Sequence, residues 1–200
     1  MSNLVKLEKH EIAGPEILSE MDVRHYPGQR IIPPVQVFSM KLSPSMDIDT
    51  MLQRGDFYWW NSNLCATNFP FRADREVEQT MALVSTSLLG GAAEGILFPQ
   101  ALAGKPANFF HLLAMRFAPI DVSAHHLTLA LGSPWHPKDG SEPCFPVMFR
   151  MEKNIGLNLQ YTYHGVQNCS ILIACEGTVA ETIQRVKEIR MLRSVSYLAG

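Results

Sequence analysis

Charge is what this 200-residue chain has least of: Asp, Glu, Lys and Arg make up 18% of it, against about 25% in an ordinary globular domain. The hydrophobic fraction is an ordinary 46%, so neutral polar residues, Gly and Pro stand where charges are missing. A formal net charge of -2 excludes disorder driven by charge repulsion. The 17 basic residues against 19 acidic ones leave no cationic excess to displace the counterions of a nucleic acid. No apolar run approaches the roughly 18 residues that a membrane helix needs. The opening stretch MSNLVKLEKHEIAGPEIL carries charges throughout and holds no apolar core of signal-peptide length. The four cysteines, Cys65, Cys144, Cys169 and Cys175, include no CxxC pair, which removes the common redox and zinc-knuckle spacings. These absences point to a cytoplasmic chain with reduced thiols and no nucleic-acid or membrane partner.

Short catalytic signatures are missing as well. GxGxxG, HExxH and GxSxG do not occur. The nearest approach to a phosphate loop, around Gly104-Lys105, lacks the first glycine and has Pro106 where a hydroxyl should hold magnesium. Gly90, Gly91 and Gly95 read as a helix end and not as a phosphate cradle.

What is present predicts an α+β fold, a mostly antiparallel sheet with helices packed on one face. Gly14-Pro15, Pro27-Gly28 and Pro33-Pro34 punctuate residues 1–34, which read as an extended N-terminal arm before one domain over 35–200. A strand is expected over 35–42, with Phe38, Met40 and Leu42 on one face and Val35 and Val37 on the other. Ser45 or Asp47 caps a short helix that Gly55 ends. The aromatic run Phe57-Tyr58-Trp59-Trp60 reads as a second strand.

A helix is expected over 74–89, because Val77, Met81, Val84 and Leu88 form a stripe and Asp74 suits an N-cap. A further short helical piece falls within 92–103, and 108–117 is apolar with no period that separates strand from helix. Alternation predicts strands over 125–131, 145–151 and 157–163, and the all-apolar run 169–175 (CSILIAC) a central strand. Thr178 and Glu181 have capping-box spacing at the head of a helix whose stripe is Val179, Ile183, Val186 and Ile189. Residues 194–198 read as a final short strand.

In that order of elements, residues 163–198 resemble the second half of a ferredoxin-like domain, the arrangement used by ACT-type regulatory domains. The resemblance implies that the strand, helix and strand between Val35 and Trp60 supply the first half, with a long insertion between. It rests on topology and carries no site residue.

Five side-chain groups are candidates for chemistry. Asn158, Gln160, Thr162 and His164 would form an uncharged polar row on one sheet face, suited to a small neutral ligand or a wet subunit interface because solvated faces usually carry Lys and Glu. His164 and Cys169 flank a turn and could offer nitrogen and sulfur to zinc or nickel; a structural use of both, with no cofactor, is the commoner alternative. His125 and His126 are adjacent, so on a strand they point to opposite faces. Cys144, in the loop SEPCFP, is expected to be accessible and could pair with a histidine as a nucleophile. Trp59, Trp60 and Trp135 could stack on a ligand, although aromatic side chains more often build cores.

The leading expectation is therefore a self-associating interaction module, a homo-oligomer that contacts a partner protein or a small neutral ligand. The alternatives are a small His/Cys enzyme, with or without a metal, using residues in 125–175, and a structural subunit of a larger shell or capsid.

Overall fold

The sheet is built around one central strand. A computed structural model describes residues 35–86, 99–118, 120, 127–151, 154–161 and 169–198, with the side chains of 190–198 left aside. The strands are β1 (Val35–Leu42), β2 (Trp59–Trp60), β3 (Val77–Ser85), β4 (Gly104–Pro106), β5 (Leu127–Leu129), β6 (Cys144–Met151), β7 (Asn154–Tyr161) and β8 (Ser170–Cys175). Besides a helical turn at 99–101, the helices among the described residues are α1 (Ile48–Arg54), α2 (Phe109–Met115) and α3 (Val179–Leu198). The eight strands form one sheet in the order β1-β3-β8-β5-β6-β7-β2, and β4 also pairs β8. Pairings are antiparallel except β5 with β8 and β2 with β7. The α+β class and the mainly antiparallel sheet agree with the sequence.

β8 earns its central place by composition. Its residues Ile171, Leu172 and Ile173 are buried, as a strand covered on both faces requires. One edge of β8 pairs β3; the other is shared by β5 near Ser170 and by β4 near Cys175. A backbone link from Ala107 N–H to the Leu172 carbonyl joins the two short strands along that edge.

The helices do not lie on one face, as expected, but on both. The larger core holds Phe38, Met40, Leu42, Met81, Leu83, Leu172, Met148 and Leu157, covered by α1 and α2. The second holds Val35, Val37, Ala82, Val84, Ile171 and Ile173, packed beneath α3 through Val186, Val179, Ile183 and Ile189. The apolar residues on both faces of β1 and β3 demand this second cover. At about 25 cal/mol per Å², each fully buried Leu or Ile is worth roughly 2 kcal/mol, so neither face could be left to water.

Two expected elements differ in kind. Residues 77–85 are strand, not the helix predicted over 74–89. The run Met81-Ala82-Leu83-Val84 is buried throughout, and an all-apolar stretch satisfies a helical stripe and a doubly covered strand equally well. The strand expected over 194–198 is the end of α3, so the strand–helix–strand close of a ferredoxin-like order is not formed. The arm over 1–34 lies outside the described residues.

Local signals hold well where they are chemical. Asp47 caps α1, its carboxylate accepting from the Thr50 N–H at 2.7 Å and the Thr50 hydroxyl at 2.8 Å, and these bonds pull its pKa below the usual carboxylate value. At α3 the Glu181 carboxylate accepts from the Thr178 N–H at 2.7 Å and the Thr178 hydroxyl accepts from the Glu181 N–H at 3.2 Å, the reciprocal pair expected of a capping box. Gly177, at φ +88°, makes the sharp entry to that helix, a conformation open to glycine at no cost.

Candidate functional site

The two ends of the sheet differ in what they leave uncovered. On the face that α3 covers over β1, β3 and β8, the half formed by β5, β6, β7 and β2 carries Leu127, Leu129, Val147, Phe149, Asn158 and Gln160, as the paired registers require. Leu129 and Val147 are buried with Cys169 in a small third core. Towards β2 the face opens. Phe149, Gly156 and Trp59 form one row across three strands, and the Phe149 and Trp59 rings lie 6.3 Å apart. Gly156 permits this, since a Cβ there would run into the Phe149 ring.

β2 ends the sheet and is only two residues long. It is tied to β7 by the Tyr58 N–H on the Ile155 carbonyl, the Asn61 N–H on the Leu157 carbonyl and the Asn61 amide on Asn158 Oδ1 at 3.2 Å. Its aromatics and the residue before it are left in the open: Tyr58 is 69% exposed, Trp59 45% and, on the opposite face, Trp60 39%, with Met151 at 59% two pairs along the same face from Trp59. This corrects the expectation that this aromatic run builds core; only Phe57 of the four is buried. A strand that pairs on one edge and ends the sheet leaves its side chains without neighbours on the far side, whatever their hydrophobicity.

The polar row is only partly within view. Asn158 and Gln160 share a face of β7, as read, while Thr162 and His164 lie outside the described residues. Asn158 is already engaged: its Oδ1 accepts from the Asn61 side chain and from the Leu159 N–H. It therefore fastens the β2 edge to β7.

The cysteines are set for packing. The Cys169 N–H donates to the Thr86 hydroxyl at 3.2 Å, and burial pushes its thiol pKa up. Burial takes the Cys175 thiol up to about 11. Both are thus thiols at neutral pH, and the thiolate is the form that attacks or binds metal. Cys144 is buried and bridged to Trp135 through paired backbone bonds, against the accessible position expected of its loop. Of the histidines that could pair with it, His125 and His164 lie outside the described residues, and His136 is within them. No group of three His, Cys, Asp or Glu able to hold a metal occurs among the described residues.

One further histidine, His111, is informative. It is the third residue of α2: the Asn108 side chain accepts from its N–H at 3.1 Å, and its Nδ1 accepts from the Asn108 N–H at 3.3 Å. Histidine here performs the reciprocal service usually given by Glu or Gln. An accepting Nδ1 assigns the proton of the neutral ring to Nε2. Burial lowers the His111 pKa to about 4, so the ring is neutral across the physiological range.

Beside this cap lies a cleft of about 340 Å³, floored by Ile48, Phe69, Phe109 and Phe110 and flanked by Phe71, Asn108 and Ser133. Phe69 and Phe109 rings are 4.9 Å apart, and Phe71 and Phe110 4.7 Å apart, both tilted. No ionisable side chain lines it. Sequence reasoning missed it because its wall joins four distant segments, and only the run Phe109-Phe110 hints at it.

No helix among the described residues is long and apolar enough to cross a membrane. Comparison with protein-family models, with curated proteins and with solved structures found no match to this chain.

Proposed function

We propose that the chain is a self-associating binding module, and that copies meet through the β2 end of the sheet. The observation that carries this reading is the exposure of Trp59 and Trp60 on the two faces of an edge strand and of Tyr58 just before it, with Met151 on the Trp59 face. Large aromatic side chains and Met are the residues that interfaces between proteins concentrate, and the chain as a whole is low in charge. An edge strand also offers backbone donors and acceptors to another chain. The buried thiols of Cys169 and Cys175, protonated at neutral pH, weigh against cysteine chemistry as the main activity.

The test is the mass in solution by sedimentation equilibrium over a range of concentrations. The wild type is expected above the monomer mass, and the double variant Trp59→Ser with Trp60→Ser at the monomer mass. A wild type that stays monomeric throughout removes the self-association reading.

A further inference from the structure

We infer that Met151 is an oxidation site that controls how copies associate at the β2 end: a peroxide converts its thioether to the sulfoxide, and the sulfoxide holds the copies apart. The inference rests on the self-association reading and adds to it a means of regulation.

Access decides which thioether an oxidant reaches. Met40, Met51, Met81, Met115 and Met148 are between 0% and 4% exposed, while Met151 is 59% exposed. Met46 is partly buried and packs against the larger core. The chemistry needs a peroxide from solution and no other reagent. A sulfur lone pair attacks one peroxide oxygen and the O–O bond breaks. That oxygen stays on sulfur, and the other leaves as water once it has taken up the proton. Sulfur is oxidised and the peroxide reduced by the same electron pair.

Place decides what the change does. Met151 follows Phe149 by two residues on β6, so both are on one face, beside the row that Phe149 forms with Gly156 and Trp59. A thioether there is a flexible apolar group that packs well against aromatic rings. The sulfoxide is polar, and burying it against the rings of a second copy costs free energy unless a donor meets its oxygen. A copy seated over Met151 also shields it, so the dissociated chain is the form that a peroxide attacks.

The test treats the full chain with dilute hydrogen peroxide, maps the sulfoxides by peptide mass spectrometry and reads association by sedimentation equilibrium. Met151 is expected to oxidise about tenfold faster than Met40, Met51, Met81, Met115 or Met148, and faster in dilute than in concentrated protein. Its oxidation is expected to raise the Kd of association about tenfold. Met151→Leu is apolar and has no sulfur, so its Kd, whatever the untreated value, is expected not to move in peroxide. Met151→Gln puts a polar group there without oxidant and is expected to associate about tenfold more weakly than Met151→Leu. The inference is overturned if Met151 oxidises no faster than the buried methionines, if the Kd of Met151→Leu rises in peroxide as the wild type's does, or if Met151→Gln associates as tightly as Met151→Leu. An untreated wild type that associates and keeps its Kd once Met151 is oxidised overturns this inference alone. An untreated wild type that is monomeric overturns the self-association reading and this inference with it.

Discussion

The β1-β3-β8 half of the sheet and the β5-β6-β7-β2 half are made of similarly apolar strands, yet they are finished differently. In the first, β1 and β3 bury Val37, Ala82 and Val84 under α3 and Phe38, Met81 and Leu83 on the opposite face. In the second, Met148 and Leu157 are buried on one face, while Phe149, Trp59 and Met151 run out to an open edge on the other. Hydrophobicity alone does not separate a folding core from a contact surface. What separates them is whether the fold supplies a layer to cover the strands.

The contrast breaks first at the covered half. Leu83, fully buried in β3, is expected to cost about 3 kcal/mol as Leu83→Ala, read as a lower urea midpoint with an unchanged slope. A loss below about 1 kcal/mol would mean that this half is not the stabilising one.

Between the halves stands α2, whose cap depends on a neutral His111. Its folded pKa of about 4 lies below the ordinary 6.5, so the unfolded chain takes up the proton first. Stability from this group is complete above about pH 6.5 and falls as the pH drops towards 4, by about 3 kcal/mol in all. His111→Gln keeps a cap partner without titrating. Its urea midpoint is expected to fall less steeply than the wild type's between pH 6.5 and 4, and parallel curves would contradict the burial-lowered pKa of His111.

A smaller effect is expected at the head of α3, where Thr178→Ala should cost about 1 kcal/mol by thermal denaturation. The smallest belongs to the open edge: Trp59→Ser with Trp60→Ser should change monomer stability by about 1 kcal/mol or less, while abolishing association.

These contrasts also explain which parts of the molecule were legible in the sequence. Asp47, Gly55, Thr178 and Glu181 act within a few residues of themselves, and their caps are where the spacing puts them. β8 was legible because its apolar run is short and turn residues bound it, Asn168 before and Gly177 after. The segment around Met81 was not, since continuous burial erases the period that tells strand from helix. The same applies to α2: Phe109, Phe110, Leu112, Leu113 and Met115 are all buried, so no polar face marks the helix. At the candidate sites, the sequence shows Asn158 as polar but not that Asn61 occupies it. It shows Trp59 and Trp60 as core-forming types, but not that the sheet stops there.

Hydrogen exchange at low and high protein concentration tests the central claim most directly, because it reads both halves in one sample. Copies meeting at the β2 edge would slow exchange at the amides of Trp59, Trp60 and neighbouring β7 as concentration rises, with β8 amides slow and unchanged throughout. Exchange at β2 that is independent of concentration, or protection that rises on the β1 side instead, would contradict it.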